Sequence, residues 1–266
     1  LQLGRGAWQH VVHAGDADCT YDDGLVSSVD DAAGWREVVQ AVAKFAVIDM
    51  DGHGRFPHLQ PMPHTYDIEP PWFSAMAQGQ GVSFLLRAAD LLGKTEFVPE
   101  AHRAARALLD DHDLNAGEVR GLVAMTDEGP VLQEYPSDPP AHVLNGWIWA
   151  LWGLYDLASY GEGDTRASEK FERGVDTLVA RLPLYETGKG WSRYDLFPHP
   201  LTNVASPFYH RLHIEQLRAL AQLAPRRELN EYADRWEVGL ESSLARATAV
   251  ARKVGFRLVR PRRRVA

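Results

Sequence analysis

Residues 142–158 read HVLNGWIWALWGLYDLA. Leu144, Trp147, Ile148, Leu151 and Leu154 recur at three- and four-residue steps, the spacing that gathers side chains on one helix face. The apolar run from Val143 to Tyr155 is shorter than the about 20 residues of an ordinary membrane span, and it is rich in Trp and Gly. It therefore predicts a helix buried in protein rather than in lipid.

The same period appears on both sides of this stretch. It is carried by Trp35, Val38, Val39, Val42 and Phe45, by Val82, Leu85, Leu86, Ala89 and Leu92, and by Phe171, Val175, Leu178 and Leu182. It returns in Leu217 and Leu220, then in Leu229, Tyr232, Trp236, Leu240 and Leu244, and about seven helices are expected in all. Between them, residues 56–71, 129–140 and 188–207 form loops punctuated by Pro and Gly. Each is longer than the usual connection, and long loops between regular helices commonly carry the site. Alternating strand patterns are scarce, and no Gly-rich phosphate loop or strand-turn-helix fingerprint occurs, which disfavours a doubly wound α/β fold. The expected fold class is all-α, an incomplete (α/α) toroid of helical hairpins with long active-site loops. Residues 1–31, with GDAD, YDDG and VDD, are expected to form an extended N-terminal arm. Residues 32–250 are expected to form the toroid catalytic domain, and 251–266, ending in RLVRPRRRVA, a basic C-terminal tail. That tail reads either as a solvated segment or as a binder of polyanions.

The 266 residues are 45% apolar and 10% aromatic, ample for a large packed core. Lys and Arg number 28 against 36 Asp and Glu, a net charge of -8. Such a balance argues against a nucleic-acid or anionic-membrane partner, and an acidic substrate would need locally placed cations. The one cysteine, Cys19, cannot form an intramolecular disulfide, so it leaves the compartment open. No secretory signal or membrane span is read, and no localisation follows.

Aromatic and polar side chains concentrate in four segments: PPWFSAMAQGQG at 70–81, QEYPSDPPAHVLNGW at 133–147, WSRYDL at 191–196 and PFYHRLHIEQL at 207–217. None is by itself a catalytic motif. Tyr135, before Pro136, reads equally as a loop anchor, and Tyr194 and Tyr209 as core residues whose hydroxyls find partners. His210 and His213 share a spacing suited to two metal ligands, but no third ligand or HExxH pattern accompanies them, so no metal and no cofactor are expected. The stretch DMDGHG at 49–54 lacks the later acidic ligand of a calcium loop and is expected to be a turn. No GxSxG supports a serine nucleophile.

Taken together, in order and spacing, PPWFSAMAQGQ, QEYPSDPP, HVLNGWIWALWGLYDL, LPLYETGKGWSRYDL and YHRLHIEQL resemble the catalytic helical domain of the D-glucuronyl carbon-5 epimerases of heparan sulfate and heparosan biosynthesis. The resemblance covers roughly residues 45–240. It implies an epimerase that inverts carbon 5 of glucuronic acid residues in an acidic polysaccharide, giving iduronic acid by proton abstraction and reprotonation with two groups. It implies catalytic roles for Glu134, Tyr135, Tyr194 and Tyr209. Trp72, Gln78 and Asn145 read equally as substrate-binding lining of the cleft and as core packing or helix capping, and Arg193, His210, Arg211 and His213 are the candidates to bind the substrate and spread its charge. Animal members carry an N-terminal β-sandwich and a β-hairpin that help form the dimer and the cleft, and neither fits before residue 32. Self-association into a homodimer is the expected cover for the exposed rim. Members with an Arg soon after YDL have Phe197 and Pro198 at that place here, which moves the expected carboxylate contact to Arg193 or Arg211.

The chemistry suits these residue types. Removing hydrogen from the carbon beside a carboxylate builds a second negative charge that cations or donors must spread. Inversion also needs a base on one face of the ring and an acid on the other; Tyr209 and the Glu134–Tyr135 pair are expected on opposite faces, with Tyr194 in support. A uronan lyase and a non-catalytic carbohydrate-binding scaffold are the alternatives, since elimination begins from the same proton and a scaffold could keep the aromatic cleft.

Overall fold

The computed structural model describes residues 8–9, 11–12, 32–62, 65–110 and 121–261. Apart from residues 8–9 and 11–12, which are helical, the proposed arm lies outside the described residues, as do Cys19 and residues 262–266.

From residue 32 onward the described chain forms eight helices: α1 (Ala32–Asp49), α2 (Ala75–Leu92), α3 (Phe97–Leu109), α4 (Leu144–Ser159), α5 (Thr165–Tyr185), α6 (Pro207–Leu223), α7 (Arg227–Glu241) and α8 (Ser243–Val259). A short antiparallel hairpin, β1 (Val123–Thr126) and β2 (Gly129–Leu132), precedes α4 and pairs Val123 with Leu132 and Thr126 with Gly129. The architecture is the all-α, incomplete (α/α) toroid of helical hairpins expected from the sequence.

Caps explain where several helices begin. Ser74 Oγ accepts from the Ala77 N–H, Asp164 Oδ1 from Ala167, Ser206 Oγ from Tyr209 and Ser242 Oγ from Ala245, each satisfying an N–H that the helix itself cannot. Gly93 ends α2 in the left-handed conformation at φ 64°. The connections α2–α3, α4–α5 and α6–α7 are short and the ones before α2, α4 and α6 are long. Short connections make the paired helices antiparallel. The long loops, the starts of α2, α4 and α6, and the ends of α1, α3 and α5 therefore share one rim.

The core joins Trp147, Ile148 and Leu151 of α4 to Phe84 and Leu85 of α2, Val175 and Leu178 of α5, and Trp236 of α7, all buried. Helices α2 and α4 meet backbone to backbone, because a Cβ on Gly79 would stand 2.6 Å from the Ala150 Cα and one on Gly153 would overlap Gly79. The sequence period is corrected in two places. In α1 the buried face runs through Trp35, Val39, Ala43 and Ala46, and Phe45 is 65% exposed. The helix expected to reach Leu244 stops at Glu241, and Ser242, capping the next helix, leaves Leu244 77% exposed. Residues 251–259, read as part of a tail, continue α8, which buries Ala249 and Phe256; the helical period there is interrupted by charge, which hid it. Helix α3 also escaped the reading, because its buried face is mostly alanine: Ala101, Ala104, Ala105 and Ala107.

Residues 49–54 form the expected turn. Asp51 Oδ1 accepts from the backbone N–H groups of His53 and Arg55, and Asp51 Oδ2 pairs with the Arg55 guanidinium. No described helix is long and apolar enough to cross a membrane.

Candidate active site

Three irregular segments are stitched side by side on the long-loop rim. The Leu144 N–H donates to Tyr194 O and the Leu196 N–H to Ala141 O, while Tyr194 N–H donates to Asn203 O and Ala205 N–H to Ser192 O. Residues 192–196 thus lie between 141–144 and 203–205, and this frame sets Tyr194 beside the residues that precede α4. A second apolar cluster, separate from the main core, forms there: Met62, Tyr66, Ile68, Trp72, Ala141, Val143 and Tyr194, with Tyr135, Phe197 and Tyr209 packed against it.

The four expected catalytic residues fall together. Glu134 is 3% exposed; its carboxylate accepts from the Gly146 N–H and, at 3.4 Å, from Asn145 Nδ2. Burial raises its pKa to about 7 against the opposing pull of hydrogen bonds from Tyr135 and Gly146. Tyr135 hydrogen-bonds Glu134 and Tyr194, and burial followed by the Glu134 charge pushes its phenol up. Burial, again with Glu134, also raises Tyr194. Tyr194 meets Tyr209 edge to face at 4.8 Å between ring centres, and Tyr209 sits in the first turn of α6, half-buried. The result is one line from a buried carboxyl group to a partly accessible phenol: Glu134, Tyr135, Tyr194, Tyr209.

Trp72 joins this cluster as a wall. Its ring stacks on His58 at 4.0 Å and lies 5.8 Å from Tyr135, while its indole N–H donates to Gln60 O. Asn145, expected to touch sugar, stands beside Glu134, to which its Nδ2 donates at 3.4 Å, and its backbone carbonyl accepts from Gln216.

Other expected binders are placed elsewhere. Gln78 is completely buried: Oε1 accepts from the Phe56 N–H, and Nε2 donates to Gly54 O and Ala104 O. Its polar atoms tie the 49–56 turn to α3. Alternation along the extended segment turns Arg193 away from Tyr194, and its Nη1 reaches Leu184 O at 3.5 Å. Arg211 is exposed and lines a surface pocket between α6 and α7 with Arg218, Glu237 and Arg246.

His210 and His213 are both fully buried around Ser192. His210 Nε2 donates to Trp236 O, which leaves Nδ1 to accept from the Ser192 N–H at 3.1 Å. Ser192 Oγ lies 2.9 Å from His210 Nδ1 and 2.8 Å from His213 Nδ1. Burial lowers His210 to about 4 and His213 to about 3, so both are neutral at pH 7. They brace the 191–195 segment from beneath, with His210 stacked on Trp191 at 4.0 Å. Among the described residues no three His, Cys, Asp or Glu side chains converge as metal ligands.

The structure adds partners that sequence reasoning missed. Asp195 is completely buried, and its Oδ2 accepts from Tyr66 at 2.5 Å and Asn203 Nδ2 at 2.5 Å, with His199 Nε2 at 3.4 Å. Lys253 Nζ, from α8, donates to Asn203 Oδ1 at 2.6 Å and stands 5.3 Å from the Tyr194 ring centre. Arg257, one turn on, donates to Thr65 Oγ1. Asp195 was open to discovery as the neighbour of Tyr194 in YDL. Nothing local marks Lys253, which lies in a charged helix far along the chain.

A family profile described as the D-glucuronyl C5-epimerase C-terminus matches residues 50–238. A D-glucuronyl C5-epimerase of Caenorhabditis elegans is 32% identical over 230 residues, covering 80% of this chain and 33% of the relative. An uncharacterised protein of Methanocaldococcus jannaschii is 25% identical over 152 residues, 57% of this chain and 47% of its own length. The chain thus spans a third of the worm relative's length and just under half of the archaeal one's. A solved structure from Salmonella enterica, described as a possible member of the GH105 family, shares the fold with a TM-score of 0.51 at 16% identity, over 91% of this chain and 59% of that one.

Proposed function

We propose that this chain, which belongs to the D-glucuronyl C5-epimerase C-terminal family, inverts carbon 5 of glucuronic acid residues in a heparosan-like acidic polysaccharide to give iduronic acid. The observation that carries the reading is the continuous line Glu134–Tyr135–Tyr194–Tyr209, with an ionisable carboxyl poised near neutrality at its buried end.

The tyrosines at the buried end are poor bases, because burial holds Tyr135 and Tyr194 in the phenol form. Glu134, tuned to about 7, is the matched base for work near neutral pH. In the proposed step the Tyr135 oxygen takes the carbon-5 proton while the Tyr135 phenol proton passes to Glu134, and the bonding pair moves into the substrate carboxylate. Negative charge leaves Glu134 and appears on the sugar carboxylate, where it has to be balanced by a cation or hydrogen-bond donors. Tyr209 then donates its phenol proton to carbon 5 from the opposite face, and the cycle closes when the partly accessible Tyr209 phenolate regains a proton from solvent and Glu134 gives up its own; Tyr194 lies between the two sides. The reverse reaction exchanges the roles. The substrate is an acidic polysaccharide, and the protein is proposed to work as a homodimer.

The test is incubation of heparosan in deuterated water. Deuterium at carbon 5 together with iduronate is expected. Ultraviolet absorbance from an unsaturated uronate would instead assign a lyase, and binding with neither change would leave a scaffold.

A further inference from the structure

The reaction proposed above needs a cation at the sugar carboxylate. The arginines expected to supply it are turned elsewhere: Arg193 toward Leu184 O, Arg211 to the outer pocket between α6 and α7. The two histidines beside the frame are neutral and buried. The rim carries positive charge from a different source. Helix α8 crosses it with Lys253 and Arg257, one helical turn apart, and Lys253 brings its ammonium to the ring of Tyr194 and to Asn203.

We propose that Lys253 is the residue that takes the uronate carboxylate and bears the charge that develops on it, resting on the epimerase reading of the same site. Three observations converge. The ammonium stands 5.3 Å from the centre of Tyr194, the middle member of the catalytic line. It is half-buried, which makes its field stronger than that of a solvated lysine. Its position is fixed by a chain of short contacts, since Nζ donates to Asn203 Oδ1, Asn203 Nδ2 donates to Asp195 Oδ2, and Tyr66 donates to the same oxygen. Helix α8 lies beyond residues 50–238, the part matched by the family profile.

The competing role for the ammonium is structural, to balance the buried Asp195 through Asn203. Two substitutions and two ligands separate the roles. Lys253→Gln keeps a donor for Asn203 and loses the charge; Lys253→Arg keeps the charge. Binding is measured by calorimetry to a heparosan oligosaccharide and to its carboxyl-reduced, uncharged counterpart. Wild type is expected to prefer the acidic chain, Lys253→Gln to lose that preference by about 10- to 100-fold, the loss typical of a charged hydrogen bond, and Lys253→Arg to retain most of it. Lys253→Gln should also lower carbon-5 deuterium exchange while its melting temperature stays near wild type. If Lys253→Gln keeps the full preference for the acidic chain, the proposal is wrong although the epimerase reading stands. If wild type neither prefers the acidic chain nor exchanges carbon 5, both fall. Should Lys253→Gln not fold, the resonance of Lys253 in reductively methylated wild-type protein decides: it must move with the acidic oligosaccharide and not with the reduced one.

Discussion

Gly146 and Glu134 fill adjoining space so closely that a Cβ at residue 146 would stand 2.6 Å from the Glu134 carboxyl carbon and overlap its Oε2. The first turn of α4 is therefore both the donor that holds the carboxylate, through the Gly146 N–H, and the surface it rests on.

Gly146→Ala should displace Glu134 by the width of a methyl group. Overpacking of this kind costs about 1–3 kcal/mol, whereas a shift of a reacting group by about 1 Å can cost on the order of 100-fold in rate. Activity is expected to collapse while the protein stays folded. Measuring turnover and thermal midpoint together checks this, and near-normal turnover in a folded variant would remove Glu134 from the chemistry.

Glu134→Gln should abolish turnover and change how stability depends on pH. With its pKa at about 7 in the fold against an ordinary glutamate value of 4.5, the folded protein keeps a proton that the unfolded chain has released between those pH values. The stability carried by the neutral acid is complete below about pH 4.5 and is lost as pH rises through about 7, a change on the order of 3 kcal/mol. The Gln variant lacks that loss, so its advantage over wild type should grow from pH 5 to pH 8 in denaturant titrations. Parallel pH profiles for the two proteins would contradict the buried, titrating carboxyl.

Tyr135→Phe and Tyr209→Phe each remove one hydroxyl and keep the ring in the aromatic cluster. Turnover should fall by about 10² to 10⁴, the usual cost of a lost general acid or base. Deuterium exchange started separately from glucuronate and from iduronate chains should be lost from opposite epimers in the two variants. If both variants epimerise normally while their midpoints drop several degrees, these rings are packing residues.

Gln78→Leu should unfold the protein more readily without touching catalysis. It strands the Phe56 N–H and the Gly54 and Ala104 carbonyls, each a loss of about 1–3 kcal/mol when buried. At a temperature where the variant is folded its KM should equal that of wild type; a selective rise in KM would return Gln78 to the cleft.

Repeated three- and four-residue apolar spacing made the helices around Trp147, Val175 and Trp236 legible, because burial of one face is a local, periodic property of sequence. The same logic overlooked α3, where alanines form the contact face, and it put Phe45 and Leu244 inside although both are exposed. Loop composition pointed to the aromatic segments, and the family resemblance picked out Glu134, Tyr135, Tyr194 and Tyr209 within them, which the fold brings into one line.

Sequence by itself settled that this is a helical toroid of the epimerase family and drew attention to its aromatic loops, since periodicity and an ordered set of motifs are written along the chain. Direction of side chains across space is not. Gln78 and Arg193 sit in promising motifs, yet Gln78 spends its polar atoms on the backbone of residues 54, 56 and 104, and Arg193 points toward Leu184 O. Arg211 faces outward, and the charge beside Tyr194 comes from Lys253, far along the chain in α8. Only the tertiary structure decided these placements, because the pairing of strands of loop, the turning of one helix onto a rim and the burial of Glu134 depend on contacts between segments remote in sequence.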